Sequence, residues 1–387
     1  MIKILFAVGC FGLFTSTVFT TLVFAGGRKF LIGRRRRGAL PSAFPPVSLF
    51  KPVHGAEAGL ATQLASFFEQ EYPHFEILFC AATGDDAALA IAREVASRYP
   101  SVKARFLSVD APTFVNAKVS SLVRMHAEAA YDIFVISDSD VHVTPKYLRE
   151  VAAPFADPDV GGVTCLYRGV AEQGLWGQLE AAGMSVEMTA GVLVANLLEG
   201  MEFMLGPTMA IRRSALDAMG GFAPLGSYCS DDFLLGAGVA EQGRRVVLST
   251  HVIDHVVQNL TFVASIRHQV RWMRSTRFSR PLGHLGTGLT FSVPFGLLAG
   301  ITSARLGRPV LGAALALYGI AARMLLAIIV AERVVEDRAP WRTALLYPLR
   351  DLMGFVYWLS SYASSTVLWR GRLYRLRAKG RMERVPL

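Results

Sequence analysis

Cysteine is scarce in this 387-residue chain: there are four, Cys10, Cys80, Cys165 and Cys229, and no C-x-x-C pair. That spacing excludes a dense disulfide framework and disfavours a zinc site. Each cysteine reads as a small buried hydrophobe. Charge is scarce too. Asp, Glu, Lys and Arg make up 18% of the chain, against about 25% in an ordinary soluble domain. Hydrophobic residues make up 52%, and the mean hydropathy is +0.37. Disorder is excluded, because it needs low apolar content and high charge. An ordinary cytosolic enzyme is disfavoured. Acidic residues are the scarcer sign, 30 against 40 basic, which leaves a net charge of +10. The length suits two or three units of about 150 residues.

What is abundant sits in runs. Ile4 to Ala25 is almost uncharged. As a helix, about 22 residues rise about 33 Å, enough for a hydrocarbon core of about 30 Å. A cleaved signal peptide has a shorter apolar region, and a basic cluster follows here: Arg28, Lys29, and Arg34 to Arg37. Residues 1–27 therefore read as a transmembrane anchor. Residues 28–46 read as a basic linker held on the cytoplasmic side.

Two further spans are expected at Leu285 to Ala304 and Pro309 to Ala331, separated by Arg305-Leu306-Gly307-Arg308. Arg323 in the second needs a protein partner or a snorkelling route. Ala344 to Leu368 is apolar but holds Arg350 and Asp351. A basic tail, 370–387, follows with Arg370, Arg372, Arg375, Arg377, Lys379, Arg381 and Arg384. Three full crossings would put this tail outside, against the positive-inside rule. The expectation is that 344–368 re-enters or lies along the interface, within a C-terminal membrane region at 283–369.

Between these runs, residues 47–282 alternate strand and helix patterns. Strand-like segments are Val47–Phe50, Ile77–Ala82, Ala104–Val109 and Asp132–Ser137. Helical segments are Leu60–Gln70, Asp85–Tyr99 and Asn116–Ala130. The alternation predicts an α/β, Rossmann-like fold with an open, mostly parallel sheet and helices on both faces. Such sheets bind ligands beyond the carboxyl ends of their strands.

Acidic residues stand at those ends. Asp138-Ser139-Asp140 follows the Ile133–Ile136 strand. Mg²⁺ takes one or two carboxylates together with substrate phosphates, so this is a candidate metal–diphosphate site. A polar turn would read the same. Asp85-Asp86 follows the Ile77–Ala82 strand, where an acid can meet a ribose or base, or simply favour a helix N-terminus. Ser230-Asp231-Asp232 opens a helix, with Ser230 as the expected N-cap. A carboxylate there can act as a general base toward an acceptor hydroxyl. His268-Gln269-Val270-Arg271-Trp272 lies on an amphipathic helix with Arg267, Arg274 and Arg277. It suits a basic interfacial helix or a diphosphate clamp. Val186 to Leu205 is apolar but carries Glu187, Glu199 and Glu202. It is expected to form an interfacial helix pair lining an acceptor path.

In order, these motifs resemble those of the ceramide glucosyltransferase family of membrane glycosyltransferases. The family's first Asp matches Asp85/Asp86, its D-x-D-like site Asp138–Asp140, its third Asp the Asp231-Asp232 pair, and its (Q/R)-x-x-R-W motif His268-x-x-Arg271-Trp272. Further stretches also resemble it: Lys51-Pro52-Val53-His54-Gly55, Asn116-Ala117-Lys118, Arg212-Arg213 to Gly220-Gly221-Phe222, and Trp369-Arg370-Gly371-Arg372. Thr164-Cys165-Leu166-Tyr167-Arg168-Gly169 and Arg280-Pro281-Leu282-Gly283 look closest to the bacterial hopanoid-biosynthesis branch. His268 departs from the wider family's Gln or Arg. Asp140 replaces a small residue found in the animal enzymes.

The resemblance implies a GT-A-type domain, a UDP-sugar donor and Mg²⁺ or Mn²⁺. Asp138 and Asp140 would hold the metal on the diphosphate, with His268, Arg271 and Trp272 closing over it. Asp85 or Asp86 would face the uridine, with Lys51 nearby. Asp232, tuned by Asp231, would be the base in an inverting transfer to a membrane lipid. The implied acceptor is bacteriohopanetetrol receiving N-acetylglucosamine, or alternatively ceramide receiving glucose. The implied location is a bacterial inner membrane, with the catalytic domain cytoplasmic. A processive polysaccharide synthase shares these motifs but usually needs more spans. A transporter leaves the three acidic clusters without a purpose. A nucleic-acid partner is not expected, because the basic residues cluster beside apolar spans, where anionic phospholipid is the natural partner.

Overall fold

The computed structural model describes residues 1–36, 44–171, 173–258, 261–369 and 371–385. Residues 37–43 of the expected basic linker, including Arg37, and Arg370 of the tail lie outside the described residues. The chain divides into two compact units. A helical unit comprises 1–35, 168–200 and 257–379, and a sheet unit comprises 36–167, 201–256 and 380–387. The division differs from the expected single 47–282 domain, since 168–200 and 257–282 belong with the helices.

The sheet unit is α/β. Its strands are β1 Val47–Pro52, β2 Phe75–Ala81, β3 Lys103–Ser108, β4 Ile133–Ile136, β5 Val141–His142, β6 Val160–Val170, β7 Met209–Arg212 and β8 Arg245–Val256. Their order is β3-β2-β1-β4-β7-β6-β8-β5. The expected parallel sheet forms the half from β3 to β4, with Phe50 opposite Ile136 and Lys51 opposite Phe79. Beyond β4, the pairs β4–β7, β6–β7 and β5–β8 are antiparallel. Residues 47–51 of β1, 76–81 of β2 and all of β4 are buried. Strands covered on both faces read as continuous hydrophobic runs rather than alternating ones, which is why Ile133-Phe134-Val135-Ile136 was legible as a strand.

Helices follow the strands as the patterns predict. Ala87–Ser97 is capped by Asp86, whose carboxylate accepts from the Ala88 N–H at 2.9 Å. Ala117–Glu128 is capped by Asn116, which accepts from the Lys118 N–H at 3.1 Å. The helix expected after Ser230 runs Asp231–Glu241, but the Ser230 hydroxyl makes no capping bond to it. Cys80 and Cys165 are buried as expected, whereas Cys10 and Cys229 are only half-buried.

In the helical unit, three helices among the described residues are long and apolar enough to cross a membrane: Ile2–Arg35, Leu175–Leu198 and Pro309–Val334. The first and third fall where spans were expected. The second replaces the helix pair expected over 186–205. It begins earlier, and its acids have partners that the sequence does not show. Glu180 accepts from Ser265 Oγ at 2.7 Å and sits 2.6 Å from His268 Nδ1. Glu187 pairs with Arg350 at 2.9 Å. Gly183 makes the second contact set possible, because a Cβ there would lie 2.2 Å from Arg350 Nε.

The span expected at 285–304 is corrected. The segment is broken into helices Pro281–Thr287 and Val293–Arg305. The latter's 13 residues rise only about 20 Å, short of a hydrocarbon core of about 30 Å. The break is specified by residues distant in sequence. Gly288 faces the Trp358 ring, where a Cβ would lie 2.3 Å from it. Asp351 Oδ2 accepts from the Ser292 and Val293 N–H groups at 3.0 and 2.8 Å, satisfying the new helix start.

Pro340–Ser361 forms one helix with Pro348 inside it. Its Arg350 and Asp351 are buried and paired with other helices. Arg323, whose partner was left open, sits 2.8 Å from Asp351, with side chains 2% and 3% exposed. A hairpin, Thr366–Trp369 with Arg372–Leu376, follows. The tail beyond it belongs to the sheet unit. The Cys229 N–H donates to Gly380 O at 3.0 Å, and Tyr228 bridges Arg381. Residues 380–385 of the tail thus pack with the sheet unit.

Candidate active site

The carboxyl ends of the strands gather the site. β4 delivers Asp138 directly after Ser137. The Lys51 ammonium lies beneath this turn, bonded to Asp138 O and 3.5 Å from Ser137 Oγ. It is fully buried and stands 3.7 Å over the Phe67 ring. Burial lowers its pKa to about 7, with Asp138 and Asp140 opposing the fall. Lys51, expected to face the donor, thus braces the D-x-D turn from within.

Lys118 joins the carboxylates. Its ammonium lies 2.7 Å from Asp138 Oδ1 and 3.6 Å from Asp231 Oδ2. Burial opposes its charge, but Asp138 and Asp231 outweigh burial and raise its pKa above the ordinary lysine value. Asn116 fixes the same corner by donating to Asp231 Oδ1 at 3.2 Å and Tyr228 O at 3.0 Å. Neither Lys118 nor Asn116 was assigned a role by sequence reasoning. The signal was present in Asn116-Ala117-Lys118, one of the stretches that resembled the family.

Gly206, also unforeseen, marks where two acids converge. A Cβ there would lie 3.3 Å from Asp232 Oδ2 and 3.4 Å from Asp138 Oδ2. Its N–H donates to Asp232 Oδ2 at 3.0 Å. Asp232 is raised to about 6 by burial and by the neighbouring Asp231 charge, with Lys118 pulling the other way. A carboxylate tuned toward neutral pH is a better general base than one at its ordinary value. Gly206→Ala should therefore lower turnover about 10–100-fold, the scale of small misplacements at reacting groups. Rates beside an unchanged unfolding temperature would check it, and wild-type rates would remove the convergence from the chemistry.

Asp140 faces β8. Its Oδ2 lies 3.0 Å from His255 Nε2, and the Val256 N–H donates to Asp140 O at 2.8 Å. Burial favours its neutral form, yet His255 and Lys51 outweigh this and hold it at about 2. Its Oδ1 is buried without a hydrogen-bond partner. An ionised, under-satisfied carboxylate beside Asp138 fits a divalent cation. Among the described residues no three or more His, Cys, Asp or Glu form a ready-made cage.

Of the remaining predicted residues, Asp85 and Asp86 make contacts from the loop after β2. Asp86 is engaged by the Gly55 N–H at 2.8 Å and His54 Nδ1 at 3.2 Å, tying the loops after β1 and β2 together. Asp85 is exposed, and a hydrogen bond from Thr83 lowers its pKa. His268, Arg271 and Trp272 belong to the helical unit, on helix Phe262–Ser279. There the His268 and Trp272 ring centroids lie 4.5 Å apart, tilted at 53°, and Arg271 lies 5.8 Å over the Trp369 ring.

An α/β sheet of GT-A type, with acids gathered at its strand ends, defines a glycosyltransferase class. The fold resembles a mannosyltransferase of Pyrobaculum calidifontis, solved in complex with GDP-Man and Mn2+. The TM-score is 0.51 at 17% identity, covering 90% of this chain and 99% of that one.

Residues 7–382 match Glycosyl transferase family 21, and the chain belongs to that family. Among curated relatives, ceramide glucosyltransferase 1 of Caenorhabditis elegans is 27% identical over 231 residues, 59% of this chain and 49% of that protein. The ceramide glucosyltransferase of Komagataella phaffii is 32% identical over 114 residues, 28% and 22% of the two chains. The chain spans about half the length or less of these relatives.

Proposed function

We propose that this chain is a membrane-bound inverting hexosyltransferase that moves a sugar from a UDP-sugar to a hydroxyl of a membrane lipid. The observation that carries this reading is the convergence of Asp138 and Asp232 on Gly206 in a family 21 chain. The favoured transfer is N-acetylglucosamine to bacteriohopanetetrol, supported by the hopanoid-branch residues around Tyr167 and Arg280. The second reading is glucose to ceramide, favoured by the curated relatives. The protein is proposed to sit in a bacterial inner membrane, with the sheet unit cytoplasmic. The basic residues at the end of Ile2–Arg35 support that orientation.

Asp232 accepts the acceptor hydroxyl proton as the oxygen attacks the sugar anomeric carbon and the bond to UDP breaks. The expected transition state is oxocarbenium-like. Asp138 and Asp140 would hold Mg²⁺ or Mn²⁺, which when bound offsets charge on the leaving diphosphate. Lys118 restrains Asp138 and Asp231, and Lys51 keeps the turn in place. Asp85 is the acid left exposed for the uridine, while Asp86 holds the loop. Arg271, Trp272 and His268 are proposed as the diphosphate clamp on the strength of the motif.

The test is incubation of membranes containing the protein with labelled UDP-sugars and either bacteriohopanetetrol or ceramide. Label in one lipid is expected, abolished by EDTA and restored by Mn²⁺. No transfer to either lipid, together with no UDP-sugar binding, sinks the enzyme reading. EDTA-resistant transfer removes the metal from it.

The base must be ionised to act, so kcat/KM should rise as pH passes about 6 and level off above it. Lys118 favours the ionised form of Asp232, so Lys118→Met should move that limb to higher pH. A limb left in place would show that Lys118 does not tune the base.

A further inference from the structure

We propose that the cytoplasm-proximal ends of helices Ile2–Arg35 and Pro309–Val334 form a discrete binding site for one anionic glycerophospholipid. The two helix ends enclose a groove of 480 Å³. Its walls are apolar, including Leu31, Ile32 and Val334, and its rim carries Arg28, Arg35 and Arg333. On the first helix the lining residues recur at 24, 27, 28, 31, 32 and 35, one continuous helical stripe. Gly27 opens the floor, where even a methyl would only just reach Val334 Cγ2 at 3.6 Å.

The charges at this helix end are sorted. Lys29 is used internally, donating to Asn196 O at 3.1 Å. Arg34 is used as well, bonding Glu336 and Val334 O at 2.6 Å each. Arg28 and Arg35 are exposed and make no ion pair among the described residues. Arg333 has only the exposed Glu332 at 3.9 Å. The two arginines without a carboxylate, and the one weakly held, are those on the groove. Apolar walls below guanidinium donors match acyl chains below a phosphate, and basic pockets between spanning helices are a recurrent phospholipid site. The inference rests on the membrane reading of these two helices and not on the catalytic assignment.

The full-length protein is purified in a neutral detergent. Phosphatidylglycerol and phosphatidylcholine of equal chain length are then added in competition, and native mass spectrometry counts the bound lipid. Each basic residue near an anionic headgroup is worth about fivefold in binding. The wild type should therefore hold phosphatidylglycerol at least about fivefold over phosphatidylcholine. Arg28→Gln/Arg35→Gln/Arg333→Gln should abolish that preference. Gly27→Leu, which fills the floor and keeps every charge, should lower retention of both lipids. Arg305→Gln/Arg308→Gln, a loss of charge at the other end of Pro309–Val334, should leave the preference intact. Equal retention of the two lipids by the wild type overturns the proposal. So does a preference that survives the triple substitution, or one lost equally in the Arg305/Arg308 variant. Sugar transfer is measured alongside in phosphatidylcholine vesicles. A failed lipid preference with intact transfer rejects this site alone.

Discussion

Asp232→Asn is expected to lower kcat by about 10²–10⁴-fold, the range that a positioned general base contributes. Asparagine keeps the shape, and its amide oxygen can still accept from the Gly206 N–H, which stands 3.0 Å from Asp232 Oδ2. The fold should therefore survive, and the unfolding temperature should stay within a few degrees of the wild type. Initial rates of sugar transfer set beside thermal unfolding separate the two effects. Asp231→Asn gives the contrast. Asp231 is hydrogen-bonded by Asn116 and faced by Lys118, and its charge raises Asp232. Its neutralisation should cost less in rate and move the acid limb of the pH profile downward. A near wild-type rate for Asp232→Asn, with a collapse for Asp231→Asn, would transfer the base role to Asp231.

The second large effect is structural. Arg323→Met leaves Asp351 buried without its guanidinium, and removal of one partner from a buried pair costs about 3–5 kcal/mol. The readout is a lower unfolding temperature in detergent. Arg323→Met/Asp351→Leu removes both charges and should recover part of the loss. Recovery is incomplete because Asp351 also accepts from the Ser292 and Val293 N–H groups. A single variant as stable as the wild type would show that the pair does not hold these helices together.

The sheet was legible because its central strands are buried on both faces. Ile133–Ile136 and the residues around Ile77 are runs that composition alone marks. The acids were legible for a related reason, since each cluster follows a strand at once. The partners of those acids were not. Lys118 reaches Asp138 and Asp231 across long sequence separations, and nothing local to Asn116-Ala117-Lys118 announces it. The membrane segments failed in the same way. Hydropathy saw one run from Leu285 to Ala304, but the break comes from Asp351 and Trp358, distant in sequence. It also set Val186–Leu205 aside for its glutamates, whereas Glu187 is neutralised by Arg350. Position 206 carried no signal at all, because a glycine read from sequence is a turn, and here it is the space between two carboxylates.

The bond from the Cys229 N–H to Gly380 O turns the membrane path into a question of parity. The chain leaves the sheet unit at Val256 and returns to it at Gly380. Whatever it crosses between those residues, it crosses an even number of times. Pro309–Val334 can make one passage, so the chain must cross again elsewhere between Val256 and Gly380. Pro340–Ser361, at 22 residues, is about 33 Å long. Arg350 and Asp351 within it are matched by Glu187 and Arg323 rather than left to the lipid. The polar residues that made this helix look unfit for a membrane are thus answered within the helical unit.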